Sequence, residues 1–317
     1  MKIYIIAAIS AFLFSLVFCR ILIPVLRRLK AGQNILVYVK EHESKSGTPT
    51  MGGLGFITAA ILSAVLFISD KNRSLIIAIA IGLAYMTIGL LDDYLKHRHK
   101  ENLGLKAWQK FAFQVFIAMF AGIYCMRAGL TSINLPFTKE KIYIGGWMIP
   151  LSVFVFVATV NAVNLTDGLD GLAAGTSLPF FACLGILILL QNDQPFFVIL
   201  CFVLVGALMG YLPFNLFPAS IFMGDTGSLA LGGFAASIAI FTQNALYIAI
   251  LGIMFVFSVI SVMMQVIYYK VTKGKRIFLM APIHHHFQQK GFSETKIAYA
   301  YFTITLWIGL FCIAMQL

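Results

Sequence analysis

Asp92 and Asp93 stand side by side in "GLLDDYLKHRHK", where an apolar run turns polar. Asp225 stands in "FMGDTGSLALGG", where another apolar run begins. A third stretch, "NAVNLTDGLDGLAAG", sets Asn161, Asn164, Asp167 and Asp170 among Gly168, Gly171 and Gly175 at the junction of two apolar runs. Ionisable groups at the ends of membrane-type segments are costly and are usually functional. Paired carboxylates suit a hard divalent cation held through oxygen. For Asp225, capping of the following helix is an equally good reading. For Asp92 and Asp93 it fails, because they fall at the C-terminal end of a predicted helix, where the dipole disfavours anions. Asp167 and Asp170, three apart, are able to share a helix face. All four polar residues from Asn161 to Asp170 are not, and the glycines predict an interrupted helix with backbone close to a ligand.

Three further stretches carry polar chemistry. "PFNLFPASIFMGDTGS" adds Asn215, and places Asp225, Thr226 and Ser228 at a helix start, where free N–H groups suit a phosphate. "MAPIHHHFQQKG" carries His284, His285 and His286 beside Lys290. Adjacent side chains point in different directions, so the three do not share one metal; phosphate or a charged sugar is the better ligand. "ESKSGTPTMGGLGF" offers Lys45, Thr50 and a glycine-rich helix start, but lacks the spacing of a phosphate-binding P-loop.

The elements that position these residues follow from composition. The chain of 317 residues is 60% hydrophobic and 11% charged, against about 25% charged in a soluble domain. It reads as an all-α polytopic membrane protein. Ten stretches approach the roughly 20 apolar residues of a span: 3–26, 51–69, 74–91, 111–129, 146–163, 172–190, 195–212, 227–241, 245–268 and 297–316. The eighth is the shortest. No linker or composition shift divides the chain, so 1–317 reads as a single transmembrane catalytic domain. The five cysteines all lie in apolar runs, and none forms a C-x-x-C pair, which predicts neither disulfides nor a thiolate metal site. Loops on one side of the ten spans hold 16 of the 23 lysines and arginines. Positive charge marks the cytoplasmic face, so both termini point outward. All six histidines and nine of the twelve acidic residues fall on that same face. The net charge of +11 therefore suits anionic headgroups and anionic substrates at a membrane, with no nucleic-acid partner expected. On the other side, "SINLPFTKEKIYIGG" alternates polar and apolar residues and predicts a small extracytoplasmic β-hairpin.

Carboxylates for Mg²⁺, lysines and histidines for phosphates, and a lipid-embedded scaffold together suggest phosphoryl transfer from a soluble diphosphate to a lipid phosphate. Five segments, "KSGTPTMGG", "LDDYLK", "NAVNLTDGLDGLA", "PFNLFPASIFMGDTGS" and "PIHHHFQQKG", resemble the polyprenyl-phosphate N-acetylhexosamine-1-phosphate transferase family of bacterial plasma membranes. The resemblance runs from about Lys45 to Glu294. The triple histidine is similar to the muramoyl-transferring branch rather than to relatives that use UDP-N-acetylglucosamine, which remain the alternative. The resemblance implies that UDP-N-acetylmuramoyl-pentapeptide and undecaprenyl phosphate give lipid I and UMP, with Mg²⁺, in a cytoplasmic cleft of a chain that is often a homodimer. Carried over by position, it implies Asp225 as Mg²⁺ ligand and Asp92, beside Asp93, as the base that keeps the lipid phosphate ionised. Lys45, Thr50, Asn161, Asn164, Asp167, Asp170 and Asn215 would line the nucleotide and diphosphate site. Lys96, His284, His285 and His286 would hold phosphate or sugar. The sequence departs from the family pattern at Gln288, where Glu is common, and at Phe292, where Trp is common, and its N-terminal segment is short. Three other readings fit less well. A UbiA-type prenyltransferase expects the final Asp of D-D-x-x-D, a transporter expects mid-membrane polar groups and an internal repeat, and an aspartyl protease expects a second Asp-Thr-Gly.

Overall fold

The computed structural model describes residues 2–29, 47–68, 72–99, 104–191 and 194–317. Twelve α-helices follow in order: α1 (Lys2–Arg28), α2 (Gly53–Phe67), α3 (Arg73–His99), α4 (Ala107–Arg127), α5 (Met148–Thr166), α6 (Leu172–Leu190), α7 (Pro195–Asn215), α8 (Gly224–Phe241), α9 (Ala245–Leu251), α10 (Ile253–Val271), α11 (Ile283–Gln289) and α12 (Glu294–Ala314). Among the described residues, nine are long and apolar enough to cross a membrane, and α2, at 15 residues, is a shorter apolar helix. The protein is thus a multi-pass helical membrane protein. Its two strands, β1 (Ser132–Asn134) and β2 (Lys141–Tyr143), pair antiparallel with Ile133 opposite Ile142.

Two expected spans differ from the structure. The stretch 245–268 is not one helix but α9 and α10, parted at Gly252, the residue with the weakest helix preference in that run. The span expected to stop at 91 continues as α3 to His99. Lys96, one turn beyond Asp92 on the same face, pairs with it and supports that extension. The eighth span, the shortest in prospect, is a full 18-residue helix.

That helix, α8, is the axis of the fold. Every residue from Thr226 to Phe241 is buried. In a bilayer, helices associate where small residues let backbones approach, and α8 supplies them. A Cβ at Gly227 would press on Gly53 of α2, one at Gly232 on Val160 of α5, and one at Gly233 on Tyr85 of α3. Conversely, a Cβ at Gly89 of α3 would collide with the carbonyl oxygen of Asp225. Outside this centre, α1 packs on α7 through Gly206 and Gly210, and shows Ile3, Ile6, Ile9, Leu13, Val17 and Ile21 outward. An apolar face of that length is lipid-facing. All five cysteines are free and buried.

The far end of α8 is tied to the hairpin. Nδ2 of Asn134 donates to Thr242 O (3.3 Å) and Asn244 Oδ1 (3.1 Å), and Asn244 and Gln191 exchange amide hydrogen bonds of 2.9 and 3.1 Å. Such groups must be paired where water is scarce.

The Gly89 contact gives a direct test. Gly89→Ala is expected to wedge α3 from the start of α8 and to lower stability by about 1–3 kcal/mol. Thermal unfolding of the purified variant against the parent measures it.

Candidate functional site

The start of α8 sits beneath three other elements. Asp93, on α3, accepts hydrogen bonds from the backbone N–H of Asp225 (3.2 Å) and of Thr226 (3.0 Å), and from the Thr226 hydroxyl (2.7 Å). Asp93 is therefore a cap after all, but of the distant helix that begins at Gly224, not of its own. The dipole argument drawn from the sequence fails, because α3 does not end at Asp93. Loop 47–52 closes the same corner: Phe222 N–H donates to Pro49 O (2.8 Å) and Gly52 N–H to Phe222 O (2.8 Å). The buried Thr50 hydroxyl lies against Gly224, whose φ of +71° suits glycine.

Asp92, Asp93 and Asp225 converge, each offering an oxygen within 4.8 Å of the others. Lys96 Nζ lies 2.7 Å from Oδ2 of Asp92 and 3.3 Å from Oδ2 of Asp225. Lys110 Nζ lies 3.1 Å from Asp92 Oδ2 and also contacts Asp225 Oδ2. Asp92 Oδ1 accepts the N–H of Leu105 at 2.8 Å. On the opposite side, Asn164 Nδ2 donates to Asp225 Oδ1 and to Ser228 Oγ, both at 2.9 Å. The three acids differ in access: the side chain of Asp225 is 14% exposed and that of Asp92 1%. Asp93 has both oxygens engaged by α8. Asp225 is thus the acid that a ligand from solvent meets first. Clustered carboxylate oxygens around a locus already drawing two ammonium groups fit a hard cation.

Lys110 has no place in the sequence reading. The available signal was its position in the first turn of α4, where the helix dipole disfavours a cation, so that only an anion nearby explains it.

The helix is interrupted as expected. α5 ends at Thr166 and α6 begins at Leu172, with Gly171 at φ +72°. Asp167 and Asp170 consequently do not share a helix face. Asp170 Oδ2 accepts the N–H of Ala219 (2.9 Å), while its own N–H donates to Glu294 (3.0 Å). Asp167 is half-buried. Burial first, and then the charges of Asp225, Asp93 and Asp170, push its carboxyl well above the usual range.

His284 and His285 lean on this loop. A Cβ at Gly168 would lie 2.5 Å from Nε2 of His284 and 2.9 Å from Nε2 of His285. His286 turns away, and its Nδ1 accepts the N–H of Leu279 at 3.1 Å. Two of the three histidines therefore face the loop. Burial, helped by His285, holds His284 well below the usual histidine range, so it is neutral near pH 7.

Two asparagines expected at the site have other partners. Asn161 Nδ2 donates to Gln114 Oε1 (2.7 Å) and Val157 O (2.8 Å). Asn215 Nδ2 donates to Ile221 O (3.0 Å), which closes the 216–222 turn. Both shape the walls. Lys45 lies outside the described residues.

Two measurements follow from these contacts. Asp93→Ala strips the cap from α8 and is expected to lower stability by about 1–2 kcal/mol, read by thermal unfolding. For Asp167 the fold raises the pKa, so ionising the carboxyl opposes folding. That cost is absent below about pH 4 and grows as pH rises. Asp167→Asn is therefore expected to unfold at a higher temperature than the parent above neutral pH, and at the same temperature near pH 4, in metal-free detergent solution.

The profile of glycosyl transferase family 4 matches residues 75–243, a span that runs from the first turn of α3 past the end of α8 and holds all three clustered acids. The chain is also similar to proteins named phospho-N-acetylmuramoyl-pentapeptide-transferase. It is 43% identical over 306 residues to that of Caldanaerobacter subterraneus subsp. tengcongensis, covering 96% of each chain. To that of Listeria monocytogenes serotype 4b it is 43% identical over 304 residues, covering 93% of each. To that of Clostridium perfringens it is 43% identical over 301 residues, covering 95% of this chain and 93% of the relative. Identity at this level along almost the whole length, with the acid cluster inside the matched span, means that the chain belongs to glycosyl transferase family 4 and, within it, to the phospho-N-acetylmuramoyl-pentapeptide-transferases.

Proposed function

We propose that the whole chain, as one catalytic unit, transfers phospho-N-acetylmuramoyl-pentapeptide from its UDP carrier to undecaprenyl phosphate, yielding lipid I and UMP. The observation that carries this reading is the Asp92–Asp93–Asp225 cluster, braced by Lys96, Lys110 and Asn164, at one end of a lipid-embedded bundle. The polar groups gather at that end and not at mid-membrane, which disfavours a transporter.

The acceptor has a matching feature. An apolar cavity of about 380 Å³ lies between α5, α6, α8, α9 and α10, lined by Phe154, Ala158, Leu231, Ile248 and Val259 among others. Ala162 and Val163 also line it, and Asn164, which holds Asp225, comes next in the chain. A polyprenyl tail in this cavity would carry its phosphate toward the acids. An oxygen of that phosphate attacks the donor phosphorus next to the sugar, and the bond from that phosphorus to UMP breaks. Both reactants are anionic, so the chief task is to bring them together and offset their charge. Lys96 and Lys110 would do so by exchanging their carboxylate contacts for phosphate oxygens. Asp225 would hold Mg²⁺, which supplies Lewis-acid stabilisation of the diphosphate when bound, and Asp92 beside it would serve as the base that keeps the lipid phosphate ionised. Asn164 orients Asp225, and Asp93 fixes the backbone beneath it. Asp167, Asp170 and the two inward histidines form the wall against which the donor would rest.

The topology agrees with a cytoplasmic site in a bacterial plasma membrane. Counting α2 as a crossing and α9 with α10 as one, ten crossings with the basic loops inside would leave both termini outside.

The test is UMP release by purified protein with undecaprenyl phosphate and Mg²⁺. Release is expected with UDP-N-acetylmuramoyl-pentapeptide and not with UDP-N-acetylglucosamine. EDTA should abolish it, and Asp225→Asn should lower it by about 10²–10³-fold or more, in protein shown to be folded by its thermal midpoint. Release with the glucosamine donor instead would move the chain to a sister specificity, and undiminished turnover by Asp225→Asn would end the metal assignment.

A further inference from the structure

The packed face of α4 is smooth. Its buried residues are Gln114, Ala118, Ala121, Gly122 and Cys125, and a Cβ at Gly122 would press on Ile149 of α5. Small side chains let helices approach closely. They do not fix how far one helix lies along the other, because a smooth face fits as well after a slip. The outer face of α4 shows Trp108, Phe111, Phe116 and Phe120, and lipid fixes no register either. Among the five buried residues, Gln114 alone carries an amide.

Gln114 is held at two points. Asn161 Nδ2 donates to Gln114 Oε1 at 2.7 Å and to Val157 O at 2.8 Å. The Val157 carbonyl only accepts, so Asn161 must turn its NH₂ group that way. The same NH₂ group then meets the carbonyl of Gln114 and not its nitrogen, which sets both amides. The second point is the backbone oxygen of Gln114, which accepts the hydroxyl of Tyr85 at 3.0 Å. Tyr85 is fully buried on α3, and its ring lies parallel to that of Phe156 on α5, 5.9 Å away. One residue of α4 is thus tied to α5 by its side chain and to α3 by its backbone.

The tie lies one turn from the acid cluster. Lys110 precedes Gln114 by four residues on the same face of α4, and Asn164 follows Asn161 by three on α5. These two neighbours hold Asp225 from opposite sides, Lys110 at Oδ2 and Asn164 at Oδ1. Lys110 also reaches Oδ2 of Asp92 at 3.1 Å. A slip of α4 by one residue would carry Lys110 about 1.5 Å along the axis and about 100° around it.

We propose that Gln114 is a positioning residue, whose hydrogen bonds to Asn161 and Tyr85 set the register of α4 and so hold Lys110 against Asp225. The amide touches neither reactant. It acts through the lysine one turn away. The inference rests on the proposed function only for what Lys110 does in turnover; where Lys110 stands is read without turnover.

The test labels the amines of the purified full-length protein in detergent with acetic anhydride. Mass spectrometry follows Lys110, with the exposed Lys139 as internal reference. Gln114→Leu should speed the labelling of Lys110 relative to Lys139 about fivefold, the worth of one hydrogen bond. An unchanged ratio overturns the proposal. Turnover then separates positioning from plain packing. Gln114→Leu should lower kcat/KM for UMP release about fivefold in the parent and leave it unchanged in Lys110→Gln, where no lysine remains to be held. An equal loss in both backgrounds means packing alone and also overturns the proposal. If Gln114→Leu does not fold, Tyr85→Phe, which removes a single hydroxyl, takes its place in both measurements with the same expected directions. Faster labelling of Lys110 in a variant of a protein that releases no UMP would uphold the placement and count against the proposed function alone.

Discussion

The first N–H groups of α8 turn to Asp93. The helix is buried from Thr226 onward, and a buried N–H left bare would cost about 1–3 kcal/mol. Asp93 takes two backbone N–H groups and the Thr226 hydroxyl at once. That single carboxylate fixes α3 against α8. It thereby fixes where Asp92 and Asp225, its neighbours on the two helices, meet. The glycine contacts along the same crossing, Gly89 on Asp225 and Gly233 on Tyr85, leave no slack in which the helices might part.

Three carboxylates brought so close repel one another, and the surroundings answer with cations. Lys96 comes from the same helix as two of the acids, and Lys110 from the next. Neither lysine is fully buried, so each can exchange its carboxylate for a phosphate without a large desolvation cost. The site is thus primed electrostatically. The negative charge suited to a metal ion and the positive charge suited to a phosphate stand within one ion-pair network, and each partly neutralises the other.

Much of this was legible in the sequence, for identifiable reasons. Apolar runs near 20 residues declare spans directly, and the polar clusters at their ends declare a site. Glycines around Asp167 declared the broken helix. What stayed hidden depended on distant partners. Nothing near Asp93 announces that it caps a helix starting at residue 224. The place of Lys110 in the first turn of a helix calls for an anion, but nothing near it names Asp225. Asn161 and Asn215 were expected to line the nucleotide site by resemblance alone. How each is held was not legible: any polar group in an apolar run needs a partner, and Gln114 and the Ile221 carbonyl supply it. The break at Gly252 was missed because one glycine in a strongly apolar run is tolerated in many helices. Only packing decides which of them yields.

The other end of α8 deserves comparison with the first. There the carbonyl oxygens of Phe241 and Thr242 accept from Gln194 and Asn134, and Asn244 locks to Gln191. The helix is therefore anchored at both termini, like a beam built into two walls. It can neither slide along its axis nor turn about it without breaking hydrogen bonds at both ends. The acid that opens α8, Asp225, therefore stands on a mount fixed at its far end as well as beside it, and its position relative to Asp92 and Asp93 is set by the whole length of the helix.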